Sequence, residues 1–179
     1  PQRQASRRFL TRVEGHPAGL TQVARHIHWF ASTILDRVYL LTGRESLLAV
    51  RLHGEHWMLD RLARGQGFLL LGSHLGSFEI LRALALGLGQ DQLRLKILMH
   101  PEHNQSVTDL LNALNPRVAA TVIPLGAPNT LLAVKEALDA GCVVGLLGDR
   151  AAPGEATVRC RFFDGNARLP TGPMALAAV

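Results

Sequence analysis

Leu20, Val23, Ile27, Phe30, Ile34, Leu35, Val38 and Leu41 recur at spacings of three and four, and Gly43 follows them as a stop. That repeat lines apolar side chains along one stripe of an α-helix, so it predicts a long amphipathic helix. "LLAVRLHG" then reads as a short strand, and "EHWMLDRLARG" as a second helix closed by Gly65. Apolar runs at 68–71 (FLLL), 95–99 (LKILM), 118–123 (VAATVI) and 142–147 (CVVGLL) alternate with helical patterns at 77–88, 103–114 and 129–140. Short apolar strands separated by helices require crossover connections, and so a parallel sheet buried on both faces. The expected class is α/β: a mainly parallel sheet with helices on both faces, preceded by an amphipathic N-terminal helix.

The pattern gives one domain over 1–179, with a helical segment at 1–43 and an α/β core at 44–179. After Arg150 the periodicity lapses at "AAPGEAT", resumes in a strand-like "VRCRFF", turns at "DGN" and reaches a helical "GPMALAAV". Because the chain opens at Pro1 without a methionine and stops as that helix begins, it reads as a fragment of a larger domain.

Composition narrows the picture. With 47% hydrophobic and 18% charged residues among 179, the chain has enough apolar material for one good core. No run reaches the roughly 18 apolar residues that cross a bilayer, and no secretory leader pattern opens the chain. The net charge is +5, with Arg3, Arg7, Arg8 and Arg12 clustered near the start. This balance suits an anionic partner such as a membrane surface, a phosphorylated substrate or an acidic carrier protein. Nucleic acid is disfavoured, since only 5% of residues are aromatic and most of these sit in apolar patterns. Two cysteines, Cys142 and Cys160, make no disulfide framework and no CxxC metal knuckle, which points to a reducing compartment.

In open parallel sheets, ligands bind beyond the carboxyl ends of the strands, where loops and helix N-termini converge. Here those ends read "LLLGSHLGS", "ILMHPEHN", "VIPLGAPN" and "GLLGDR". They put His74, His100, His103, Asn104, Asn129, Asp149 and Arg150 on one edge. His74 stands out, because Gly72 and Gly76 flank it and a helix N-terminus follows. The helix dipole disfavours imidazolium there and keeps the ring neutral, as a general base needs. Glu79 lies five residues on, so it meets the ring only if His74 sits in the turn and Glu79 in the first helical turn. A carboxylate on one ring nitrogen fixes the tautomer and supports the imidazolium that forms.

Rival chemistries find little footing. "GSHLG" has histidine where a nucleophile elbow needs serine. His26 and His28 face different ways on a helix, and His53/His56 and His100/His103 lack a carboxylate set, so no metal site is expected. Neither GxGxxG after the first strand nor GxxxxGK[ST] occurs.

The segment His74-Leu-Gly-Ser-Phe-Glu79 resembles the H-x4-[DE] signature of the lysophospholipid acyltransferase superfamily. With "GLLGDR" (145–150) and "RFFDGNARLPTGPMALAA" (161–178), the ordered set is similar to the bacterial branch containing the lipid A late acyltransferases. In that branch an acidic residue follows a later strand, and an F-[LF]-G-x-x-A-x-x-P-x-G-P-like segment comes next. The resemblance spans Ala5 to Val179 and departs at Asp164, where the family more often has a small residue.

The resemblance implies transfer of a fatty acyl group from an acyl carrier protein or coenzyme A thioester to a hydroxyl or amine of a lipid or glycolipid acceptor. No cofactor beyond that co-substrate is implied. His74 and Glu79 would be the catalytic pair. Backbone N–H groups around Gly76 and Ser77 would meet the oxyanion. Asn104, Asp149, Arg150 and Arg168 would lie in the substrate site, the arginines pairing with phosphate. The basic N-terminal helix would rest on a membrane surface, at the cytoplasmic face of a bacterial inner membrane. Two other readings stay open: a thioester or ester hydrolase using the same dyad on water, and a non-catalytic binding module for an acidic partner.

Overall fold

The computed structural model describes residues 1–42, 44–49, 51, 53–76, 94–100 and 121–178. The helices expected over 77–88 and 103–114 lie outside these residues. The N-terminal segment forms two helices, α1 (Gln2–Glu14) and α2 (Leu20–Leu41). They part at Gly15, which takes a left-handed conformation (φ 73°) and donates its N–H to Thr11 O. Pro17 follows two residues later, where a helix has ended. α1 folds back on α2 through Ser6 and His26, hydrogen-bonded at 2.7 Å, and through Phe9, stacked on the His26 ring at 5.4 Å.

A 3-10 turn at Glu45–Leu47 leads to α3 (Glu55–Ala63). The strand expected in "LLAVRLHG" is not found: the described residues of that run form no ladder. Its apolar pattern breaks at Arg51 and His53, and Gly54, with φ 81°, starts α3 instead. Among the described residues no strand pairs with it.

β1 (Phe68–Gly72), β2 (Leu95–Met99), β3 (Val122–Pro124) and β4 (Val143–Leu147) form a sheet in the order β1-β4-β2-β3, with every pair parallel. α4 (Thr130–Asp139) connects β3 to β4. β4 lies inside the sheet, and its side chains alternate as a doubly buried strand requires. Val144 (0% exposed) and Leu146 pack with Leu98, Ile123 and Cys142 against Val134 and Ala137 of α4. Val143 (1% exposed) turns to the other face, with Phe68 and Leu95, under Met58 and Leu62 of α3. Each fully buried valine contributes about 1.5–3 kcal/mol. The expected α/β class with a covered parallel sheet is what the described residues form.

Beyond β4 comes an antiparallel hairpin of β5 (Thr157–Phe162) and β6 (Gly165–Pro170), a two-stranded sheet of its own, and then α5 (Gly172–Ala177). The turn falls at Phe163–Asp164, earlier than the expected "DGN", because Gly165 already pairs with Phe162. Phe163 carries φ 52°, a left-handed conformation that a bulky residue rarely takes. The hairpin tip rests on α1, where Arg12 Nε meets Asp164 Oδ1 at 3.3 Å. The residue that departs from the family pattern therefore has a local use.

Candidate active site

The site follows from strand register. β1 and β4 pair parallel with Phe68 opposite Val143 and Gly72 opposite Leu147. Continuing that register by two residues past each strand end brings His74 opposite Asp149. The backbone keeps the two exits together a step further, since Gly148 N–H donates to Gly72 O at 3.0 Å. His74 Nδ1 and Asp149 Oδ1 then meet at 2.8 Å, although the residues are 75 positions apart.

Local conformation aims both groups. Leu75 N–H donates to Ser73 O at 2.8 Å, which closes a three-residue turn with His74 at its apex. Gly76 follows with φ 70°, where a side chain would be strained. A Cβ on Gly148 would start 2.6 Å from Leu71 Cδ1 and 3.4 Å from Pro173 Cγ, so glycine lets β1 and α5 approach the β4 exit closely. The His74 and Asp149 side chains are 35% and 32% exposed, open to a ligand yet partly screened from water.

Burial raises the Asp149 pKa, but hydrogen bonds from the His74 ring and backbone, the charge of that ring and Asp149's own N–H outweigh it. The net shift is downward, so the carboxyl stays ionised to lower pH than an ordinary aspartate. An ionised carboxylate can only accept, so His74 donates through Nδ1–H and Nε2 becomes the basic nitrogen.

A second histidine–carboxylate pair lies on the same edge. His100, just past β2, meets Glu155 Oε1 through Nε2 at 3.1 Å. The sequence singled out His100 by its strand end; it offered no signal for Glu155, which sits in the aperiodic "AAPGEAT". Arg150 is exposed beside Asp149. Arg168 lies on β6, where its Nε donates to Thr157 Oγ1 at 3.0 Å, within the hairpin. Ser77, Glu79, His103 and Asn104 lie outside the described residues. Among the described residues no three His, Cys, Asp or Glu side chains gather as a metal site, and both cysteines are free thiols. No helix among them is long and apolar enough to cross a membrane.

The described residues thus place a carboxylate-bound histidine on a glycine-flanked turn at the carboxyl edge of a parallel α/β sheet. Residues 17–179 match the bacterial lipid A biosynthesis acyltransferase family, and the chain belongs to it. It is thus an acyltransferase of the lipid A late acyltransferase-like branch. No curated protein matches the chain in sequence. The match opens at Pro17, so α1 precedes the matched residues.

Proposed function

We propose that the protein moves a fatty acyl group from a carrier thioester, on acyl carrier protein or coenzyme A, to a hydroxyl or amine of a lipid A-like glycolipid, with His74 as general base. The observation that carries this reading is the 2.8 Å contact between His74 Nδ1 and Asp149 Oδ1. Nε2 takes the acceptor's proton as its oxygen or nitrogen attacks the thioester carbonyl. The tetrahedral intermediate collapses, the C–S bond breaks, and the imidazolium returns the proton to the departing thiolate. A thioester is already activated, so neither a metal nor a covalent acyl-enzyme is required. N–H groups around Gly76 and Ser77 would hold the oxyanion.

Nδ1 has one hydrogen to give, and Asp149 accepts it. Glu79, which the motif pairs with the same ring, would orient it together with Asp149 and support the imidazolium that forms. Arg150, exposed beside Asp149, is suited to phosphate on the carrier or acceptor. Arg168 and Asn104 would extend that contact. The N-terminal helices suit a membrane surface: α2 leaves Trp29, Phe30, Ile34 and Leu35 exposed, and α1 adds Arg3, Arg7, Arg8 and Arg12 for anionic headgroups. On this reading the protein works at the cytoplasmic face of the inner membrane.

The test compares wild type with His74→Ala, using lauroyl-carrier protein and lauroyl-coenzyme A as donors and a lipid A precursor as acceptor. Transfer should fall by about 10²- to 10⁴-fold with the donor KM nearly unchanged. Retained transfer would overturn the mechanism, and thioester cleavage independent of acceptor would make the protein a hydrolase.

A further inference from the structure

The loop leaving β4 carries two carboxylates, Asp149 and Glu155, and sends one to each neighbouring strand exit. Asp149 reaches His74 beyond β1 at 2.8 Å, and Glu155 reaches His100 beyond β2 at 3.1 Å. β4 lies between β1 and β2, so the loop is anchored on both flanks. Glu155 also ties the loop to itself. Its Oε2 accepts the Ala152 N–H at 2.9 Å, and its own N–H donates to Ala152 O at 3.1 Å. Between them stand Pro153 and Gly154, the latter at φ 87°.

We propose that His100 and Glu155 are a positioning pair: they fix the loop from Gly148 to Glu155 and thereby hold Asp149 in register with His74. This rests on the acid–base reading of His74 and Asp149. The physical need is plain. Both members of the His74–Asp149 contact are about one-third exposed, at 35% and 32%, so water competes for each. Their hydrogen bond persists only if the backbone of Asp149 is held in place, and a short loop with a glycine at each end does not hold itself. The Glu155 carboxylate joins that loop to a histidine fixed at the end of β2, whose Leu95 and Leu98 are buried.

Misplacing a catalytic group by about 1 Å can cost on the order of 10²-fold. Glu155→Ala and His100→Ala should therefore each lower kcat by about 10- to 10²-fold, with donor KM unchanged. His100→Gln keeps an N–H donor for Glu155 and should recover most of the loss. Because the pair acts through Asp149, Glu155→Ala should cost nothing further in an Asp149→Asn background. A readout independent of turnover is the ¹³C carboxyl titration of Asp149 in the folded protein. It should move upward, toward the ordinary carboxylate value, in Glu155→Ala and stay in place in His100→Gln. Additive losses in the Asp149→Asn background, or an Asp149 titration indifferent to Glu155→Ala, would overturn the proposal. If the wild type fails to transfer from either lauroyl donor, the acyl-transfer reading falls, and the Asp149 titration alone decides whether the pair positions the carboxylate.

Discussion

The parallel sheet and the β5–β6 hairpin are held in opposite ways. β1 and β4 pair across 75 positions of sequence, and β4 is buried on both faces. β5 and β6 are sequence neighbours joined by two turn residues, and Val158, Phe162 and Phe163 stay exposed. A lone two-stranded hairpin is marginal in water, and this one borrows support at both ends. Thr171 N–H donates to Ala156 O at its base, and Arg12 pairs with Asp164 at its tip. The contrast shows where precise chemistry belongs in this molecule. The sheet edge fixes two side chains to hydrogen-bonding distance through buried register, whereas the hairpin is set by surface contacts that water and salt can replace.

The largest expected effect that would break this contrast is at Asp149. Asp149→Asn should lower kcat by about 10²-fold or more, and by more than Glu79→Gln, in the lauroyl-transfer assay. Equal losses would mean that the sheet edge does not orient the ring. The depressed Asp149 pKa carries a second signature. Its stabilisation is fully present above the ordinary carboxylate value and is lost as pH falls through the folded-state value. Thermal melts of Asp149→Asn should therefore lack that part of the acid-side decline.

Next comes the sheet's interior. Val144→Ala should lower unfolding free energy by about 1.5–3 kcal/mol in urea titrations, leaving kcat per folded molecule unchanged. The hairpin should respond least. Phe163→Gly relieves a left-handed backbone and should raise stability by at most about 1 kcal/mol, offset in part by glycine's greater unfolded-state entropy. Arg12→Ala removes an exposed ion pair and should cost less than about 1 kcal/mol, vanishing at high salt. A loss in either variant as large as that of Val144→Ala would make the hairpin part of the core.

The parts legible in sequence share a physical cause. α2, β1, β2 and β4 declare themselves because burial forces an apolar period or run, and their observed ends fall within a residue or so of the patterns. α1 was not separable from α2: it is rich in arginine and poor in apolar residues, so it shows little stripe. "GNARLP" alternates weakly, Ala167 and Leu169 against Asn166 and Arg168, but its Gly, Asn and Pro are poor strand formers, and its turn has phenylalanine where glycine is usual. In the site, His74 and Asp149 were both readable as strand-end residues. Their pairing was not, because it depends on β4 entering the sheet beside β1, and strand order leaves no mark on local spacing. The same reason hid Glu155 as the partner of His100.

That strand order has a consequence for how the protein is made. β1 and β2 leave the ribosome long before β4, yet in the finished sheet they do not touch, because β4 lies between them. The growing chain therefore cannot complete its sheet by adding strands in order; it must keep a slot between two earlier strands for a later one. Contacts so distant in sequence are slow to close, since loop entropy is spent before they form. Asp149 and Glu155 arrive on the loop that follows the strand filling the slot. A nascent chain that has not yet inserted β4 holds His74 and His100 without Asp149 and Glu155, so on the proposed reading the His74–Asp149 pair forms only once β4 is in place.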